Sequence, residues 1–265
     1  MQRSLLNDKK NVKRNVQRLE NEECQPIISP RAPSNSNHIS FCMQKPTKHQ
    51  RKLLGEYKKT LTLSEHLFEL SVGVCLGDAS IQTQDGGKTY RLKFSQSQNK
   101  HSDYLRHLHA QYHDWVLSDP FFDEKRQMVN FQTLSHSEFR KLAEIFVLDS
   151  QGKLCKKHIK PFFVENYLTP RAFAYWIMDD GGRSSYNKDY ERKGFALNTH
   201  GFPKDQVEIL CQGLQNRYGL HCWLKPNKNK WIIVISGRDH EKMMTLIREF
   251  IIPSMYHKIP GINVS

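Results

Sequence analysis

A chain of 265 residues with 40 Lys and Arg against 27 Asp and Glu has a formal net charge of +13. That balance points to an acidic polymer, most commonly nucleic acid, as partner. Apolar residues at 38% suit a globular protein with one large domain or two small ones, and no run is long and apolar enough to span a membrane.

Residues 1–50 hold nine Lys and Arg against four Asp and Glu, so the remainder keeps 31 against 23 and is basic in its own right. The first fifty residues read as a basic, disordered tail, with the charged stretch NDKKNVKRNVQRLENEE and the Pro/Ser/Asn-rich PIISPRAPSNSN. Asp8, Glu20, Glu22 and Glu23 weaken a targeting role, since transit peptides are poor in acids. Six cysteines (24, 42, 75, 155, 211 and 222) form no CxxC pair and no regular spacing, as expected of reduced thiols rather than a disulfide framework or zinc site.

Ordered structure is expected from Leu53. TLSE, from Thr62 to Glu65, reads as a capping box before Leu67, Phe68, Leu70, Val74 and Cys75 at helical spacing. IQTQDGGKTYRLKFSQ reads as strand, Gly-rich turn and strand. A helix from Ser102 follows, then the strand MVNFQTL, then a capped helix opened by Ser135–Glu138. The pattern restarts at Thr169, an N-cap, with Pro170 at the first helical position of RAFAYWIMDD. Next come a hairpin region, a helix from Pro203 to Tyr218 stopped by Gly219, and a second hairpin of HCWLK, PNKN and KWIIVIS. A last helix is expected over 239–251. Helix, hairpin, helix, strand and helix thus occur twice, as an internal duplication.

Each half offers an apolar helix that ends in an acid followed by a small residue, LSVGVCLGDAS at Asp78 and FAYWIMDDGGR at Asp180. Aspartates are misplaced at helix C-termini, where the dipole presents partial negative charge. If the helices pack side by side through Gly73 and Ala174, the two acids would project together and repel unless a cation sits between them. Mg²⁺ favours such a donor set. From the residues alone, metal-assisted phosphodiester cleavage and a plain solvated helix end both stay open.

LSVGVCLGDASI and AFAYWIMDDGGR resemble the two signature helices of the LAGLIDADG homing endonucleases, in the single-chain, omega-intron type. Further similar stretches are DGGKTYRLKF, FQTLSHSEFRKLAEIF, VENYLTPRAFAYWIMDDGG, LNTHGF and FIIPSMYHKIP, so the resemblance runs over 53–259. It implies an α+β homing-endonuclease fold: two pseudo-symmetric αββαββα-like halves, 53–160 and 161–265, whose saddle-shaped sheets bind DNA around a central helix pair. It selects Asp78 and Asp180 as metal ligands and catalytic acids, with Asp179 supporting or idle, and Lys157 and Lys258 as lysines near the scissile phosphate. It implies a Mg²⁺-dependent (or Mn²⁺-dependent) monomeric endonuclease. Such an enzyme leaves 3′ overhangs at a long asymmetric duplex site and originates in a mitochondrion or plastid. Rivals are an intron-RNA maturase of the same fold and a DNA-binding regulator without catalysis. The stretch from Pro120 to Leu134 is shorter than in the omega-type enzyme, which puts the second hairpin of the first half in question.

Arg, Lys and Gln are the residue types that read base edges in the major groove. DNA-binding candidates are Gln82, Lys88, Arg91, Lys93 and Gln96 in the first half, with Arg183, Lys188, Arg192, Lys225, Lys228 and Lys230 in the second. His107, His109 and His113 are read as surface histidines rather than a zinc set, and DGGK at 85–88 as a turn rather than a phosphate loop.

Overall fold

The computed structural model describes residues 47–184 and 194–262, except for the side chains of 98–101. Most of the expected tail, together with Lys188 and Arg192, lies outside the described residues. The chain divides into compact units at Thr62–Leu63, so the expected start at Leu53 falls inside an element. In the first unit, α1 (Lys48–Lys59) opens on Thr47, whose side chain accepts from Gln50 N while Gln50 caps the Thr47 N–H in return. This capping box was not read from the sequence.

The second unit opens with α2 (Glu65–Leu76). Its cap is Ser64, whose hydroxyl accepts from Leu67 N, and not Thr62. Strands β1 (Ser80–Gln82) and β2 (Arg91–Ser97) follow, then α3 (Gln98–Gln111). The hairpin in question is present: β3 (Phe121–Asp123) pairs antiparallel with β4 (Met128–Gln132). A 3₁₀ turn at Ser137–Phe139 leads into α4 (Arg140–Phe146), with the His136 ring rather than Ser135 accepting at its entrance.

After α5 (Phe163–Tyr167), the helix α6 (Pro170–Asp180) is capped by Thr169 as expected, its hydroxyl accepting from Ala172 N. Strands β5 (Gly181–Arg183) and β6 (Phe195–Leu197) precede α7 (Lys204–Tyr218). This helix stops where Gly219 adopts φ 58°, a left-handed conformation that glycine adopts without strain. The hairpin β7 (Cys222–Asn227) and β8 (Lys230–Ile235) turns through Lys228 and Asn229, both at positive φ. Finally, α8 (His240–Ile247) ends earlier than expected, because Arg248–Phe250 tightens into a 3₁₀ turn.

The strand orders are β1-β2-β4-β3 and β5-β6-β8-β7, two antiparallel four-stranded sheets of one plan. The fold is α+β. In the first sheet Leu92, Phe94 and Gln96 are buried on the helix side, where Phe94 meets Tyr112 and stacks on Phe131. Alternation puts Arg91, Lys93, Ser95 and Ser97 on the other face. In the second sheet the Cys222 row faces α7, where Cys222 meets Cys211 at 3.5 Å between sulfurs.

Helices α2 and α6 pack along each other, and both are buried nearly all round, from Leu70 to Leu76 and from Ala172 to Asp179. A Cβ built on Gly73 would lie 2.3 Å from Ala172 O and 2.8 Å from Tyr175 Cβ. The close approach expected at Gly73 is present, and the small residue facing it is Ala172. The Arg171 guanidinium pairs with Glu69 across the two helices, and His107 Nε2 lies 2.8 Å from Tyr175 Oη.

Candidate active site

The C-terminal ends of α2 and α6 meet. At the first end, a Cβ on Gly77 would fall 2.4 Å from the Cβ of Asp179, so the axis has room for one side chain, and Asp179 fills it. Asp179 is buried, and its Oδ2 accepts from the Asp78 backbone N–H at 3.2 Å. Burial, then the charge of Asp78, holds the Asp179 carboxyl well above the usual carboxylate range, against the lowering influence of the nearby Tyr104 hydroxyl. A buried carboxyl so placed favours its neutral form.

Asp78, at the mouth of this junction, is exposed. Its Oδ2 accepts from Gln96 Nε2 at 2.8 Å. Asp180 is half-buried, and burial followed by the charge of Asp78 pushes its pKa up to about 7, against the lowering effect of Lys258 and Lys157. The two carboxyls therefore share one electrostatic environment. The backbone N–H and the Nδ2 of Asn198 both donate to Asp180 O, at 3.0 and 2.9 Å.

Open carbonyls end every helix and need donors. Here lysines supply them. Lys157 Nζ donates to Gly77 O at 3.0 Å and Ala79 O at 3.1 Å. Lys258 Nζ donates to Met178 O at 2.6 Å and also to Asp179 O. Burial lowers the Lys258 pKa, with Asp179, Asp180 and Asp78 opposing that shift. Each ammonium spends donors on the carbonyls of one acidic junction, which neutralises the adverse end of the helix dipole and holds positive charge beside the acids.

This arrangement brings together Asp78, Asp180, Lys157 and Lys258. It adds Gln96 and Asn198, which the sequence reading had not placed here. Gln96 is among the sequence candidates for DNA contact. It is 7% exposed and turns to Asp78, because it shares strand parity with Leu92 and Phe94; that parity was a signal available in the sequence. Asn198 stands in LNTHGF, with nothing local to mark it.

The remaining candidates divide by face. Gln82, Arg91 and Lys93 lie on the face of the first sheet away from the helices, where Gln82 Oε1 accepts from Arg91 Nη2 at 3.2 Å. Lys88 is exposed in the turn whose backbone and hydroxyls bind Asp85. Lys225 and Lys230 lie on the corresponding face of the second sheet, and Lys228 is in its turn at φ 49°. Arg183 is exposed, pairs in register with Phe195 and donates to Ile262 O at 2.7 Å. His109 Nε2 lies 3.0 Å from Ser118 O, and His107 is bound to Tyr175, so these two histidines serve packing. Among the described residues no three His, Cys, Asp or Glu side chains cluster as a metal set. Two carboxylates with waters and phosphate oxygens nonetheless satisfy Mg²⁺.

The chain is similar to a probable intron-encoded endonuclease 1 of Wickerhamomyces canadensis, 38% identical over 216 residues that cover 78% of this chain and 90% of that one. A solved structure described as the homing endonuclease I-WcaI bound to its DNA recognition sequence superposes with a TM-score of 0.71 at 38% identity, over 80% of this chain and 94% of that one. A cytochrome b mRNA maturase bI2 of Debaryomyces hansenii is 25% identical over 209 residues, 74% of either chain. Residues 68–243 match the LAGLIDADG DNA endonuclease family. With paired helices, twin sheets and two acidic junctions of one plan, the chain belongs to the LAGLIDADG DNA endonuclease family.

Proposed function

We propose that this chain is a site-specific DNA endonuclease of the intron-homing kind, which hydrolyses phosphodiester bonds in both strands of a long, asymmetric duplex site and leaves 3′ overhangs. The observation that carries the reading is the pair of acidic junctions, each an apolar helix end with an aspartate and a lysine, held together at one axis. Their twofold arrangement supplies one acid and one lysine per strand. Both halves of the site come from one chain, so the enzyme acts as a monomer.

Asp78 and Asp180 would hold Mg²⁺ (or Mn²⁺), for which a pair of mutually repelling carboxyls is a suitable donor set. Such an ion, when bound, activates water and stabilises an in-line displacement at phosphorus. Gln96 fixes the Asp78 carboxylate through a 2.8 Å hydrogen bond. Lys157 and Lys258 place positive charge beside the scissile phosphates, where it stabilises the charge that develops in the transition state. The outer faces with Gln82, Arg91 and Lys93, and with Lys225 and Lys230, supply base and phosphate contacts. We further propose organellar origin, in a mitochondrion or plastid. Likeness to an mRNA maturase keeps intron RNA as a second substrate, with splicing assistance as the alternative reading.

The test uses the intron-free insertion-site duplex with and without Mg²⁺. Wild type cuts both strands only with the metal. Asp78→Asn and Asp180→Asn each bind the duplex but cut it at least about a thousandfold more slowly, about 4 kcal/mol in barrier. Tight binding without any cut by wild type overturns the nuclease and favours the maturase or regulator.

A further inference from the structure

The outer face of the first sheet contains one residue that its polar character does not explain. Phe121 is 58% exposed, more than any other large apolar side chain among the strands described. Its register places it. Phe121 pairs with Asn130, and Asn130 with Ser95, so all three side chains lie on the face that carries Arg91 and Lys93. Phe122, next along the strand, pairs with Val129 on the helix side.

An exposed phenyl on an edge strand costs solubility and invites aggregation, and edge strands are ordinarily guarded by charge. Basic residues share this face, and the only acid beside it on β3, Asp123, is turned into the hairpin, where its Oδ1 accepts from Arg126 N at 3.2 Å. Two strand spacings, about 10 Å, separate Phe121 from Ser95, within the major-groove width of about 12 Å. In that groove the one apolar group a base edge offers is the thymine C5-methyl. We propose that Phe121 is a specificity-determining residue that packs on the methyl group of a thymine in the target and selects it over cytosine. The inference rests on the DNA-endonuclease reading above and adds a base preference to it.

In EDTA, the full chain selects its site from a randomised duplex library, and each thymine of the recovered duplex is replaced in turn by uracil, which removes only the methyl group. At one position uracil weakens wild-type binding roughly fourfold, the transfer free energy of a single methyl group. Phe121→Ala binds the thymine and uracil duplexes equally at that position, while Phe121→Leu retains part of the difference. Because each protein is compared with itself, a loss of fold cannot imitate this result. Uracil effects that are the same in wild type and Phe121→Ala overturn the inference and leave the nuclease reading standing. Recovery of no duplex overturns both.

Discussion

The two acidic junctions agree at their lysines and differ at their acids. Lys157 and Lys258 make the same gesture, each donating to carbonyls at the end of its own half's signature helix. The residue that precedes the outward acid is glycine at 77 and aspartate at 179. Only one of them can carry a side chain, because a Cβ on Gly77 would overlap Asp179. The two halves thus place their outward acids and lysines alike and use the axis position asymmetrically. Its central carboxyl is buried, its neutral form is favoured, and its Oδ1 is without a hydrogen-bond partner. The doubled acid of MDDGG is therefore two different things: a packing carboxyl that braces Asp78, and a half-buried ligand candidate. A second difference concerns the side chains that touch the acids. Gln96 grips a carboxylate oxygen of Asp78, whereas Asn198 grips only the backbone carbonyl of Asp180.

The equivalence of the lysines is the sharpest point to attack. Lys157→Met and Lys258→Met should each slow cleavage about a hundredfold in single-turnover assays with saturating Mg²⁺. A loss confined to one strand's cut in each variant would assign one lysine to each strand. Unaffected cleavage in either variant would reduce that lysine to a helix cap.

The asymmetry of Gln96 and Asn198 predicts unequal costs. Gln96→Ala should lower activity about tenfold and raise the Mg²⁺ concentration needed for half-maximal cleavage, as removal of a ligand's hydrogen-bond partner does. Asn198→Ala should cost less, since the Asp180 carboxylate keeps its other surroundings. Equal losses would mean that the acids are supported alike after all.

The smallest effect is on stability against pH. Asp180 rises from 3.8 to about 7 on folding, so between those values the folded chain binds more protons than the unfolded one. Stability of the metal-free protein then falls as pH rises through that window, and Asp179, whose carboxyl is also held above the usual range, adds a fall of the same sign. Denaturant melts should show this slope, and Asp180→Asn should reduce it to the share that Asp179 leaves. Mg²⁺ should stabilise wild type more at pH 8 than at pH 5, where protons compete for the same carboxyl.

Much of this architecture was legible in one dimension, for local reasons. Thr169 and Pro170 start a helix because their hydroxyl and fixed φ suit its first turn, and Gly219 ends one because the chain there turns left-handed. The acidic junctions stood out because acids are misplaced at helix ends. Resemblance to a known family then added the lysines, which no local rule links to those acids. Boundaries fared worse. Ser64 caps in place of Thr62, and His136 in place of Ser135, because several neighbouring residues could serve and the packing of the helix chose among them.

By itself the sequence determined the basic charge, most of the order of helices and strands, the duplication, and two apolar helices that end in Asp78 and Asp180, since composition, caps and periodicity act within a few residues. Tertiary structure alone decided that Ala172 faces Gly73, that Asp179 fills the space left by Gly77, and that Arg183 reaches Ile262 O. It also decided that Gln96 belongs to Asp78 and Phe121 to the outer face. These are relations between residues far apart in the chain, set by how helices approach and how strands register, and no local preference encodes them.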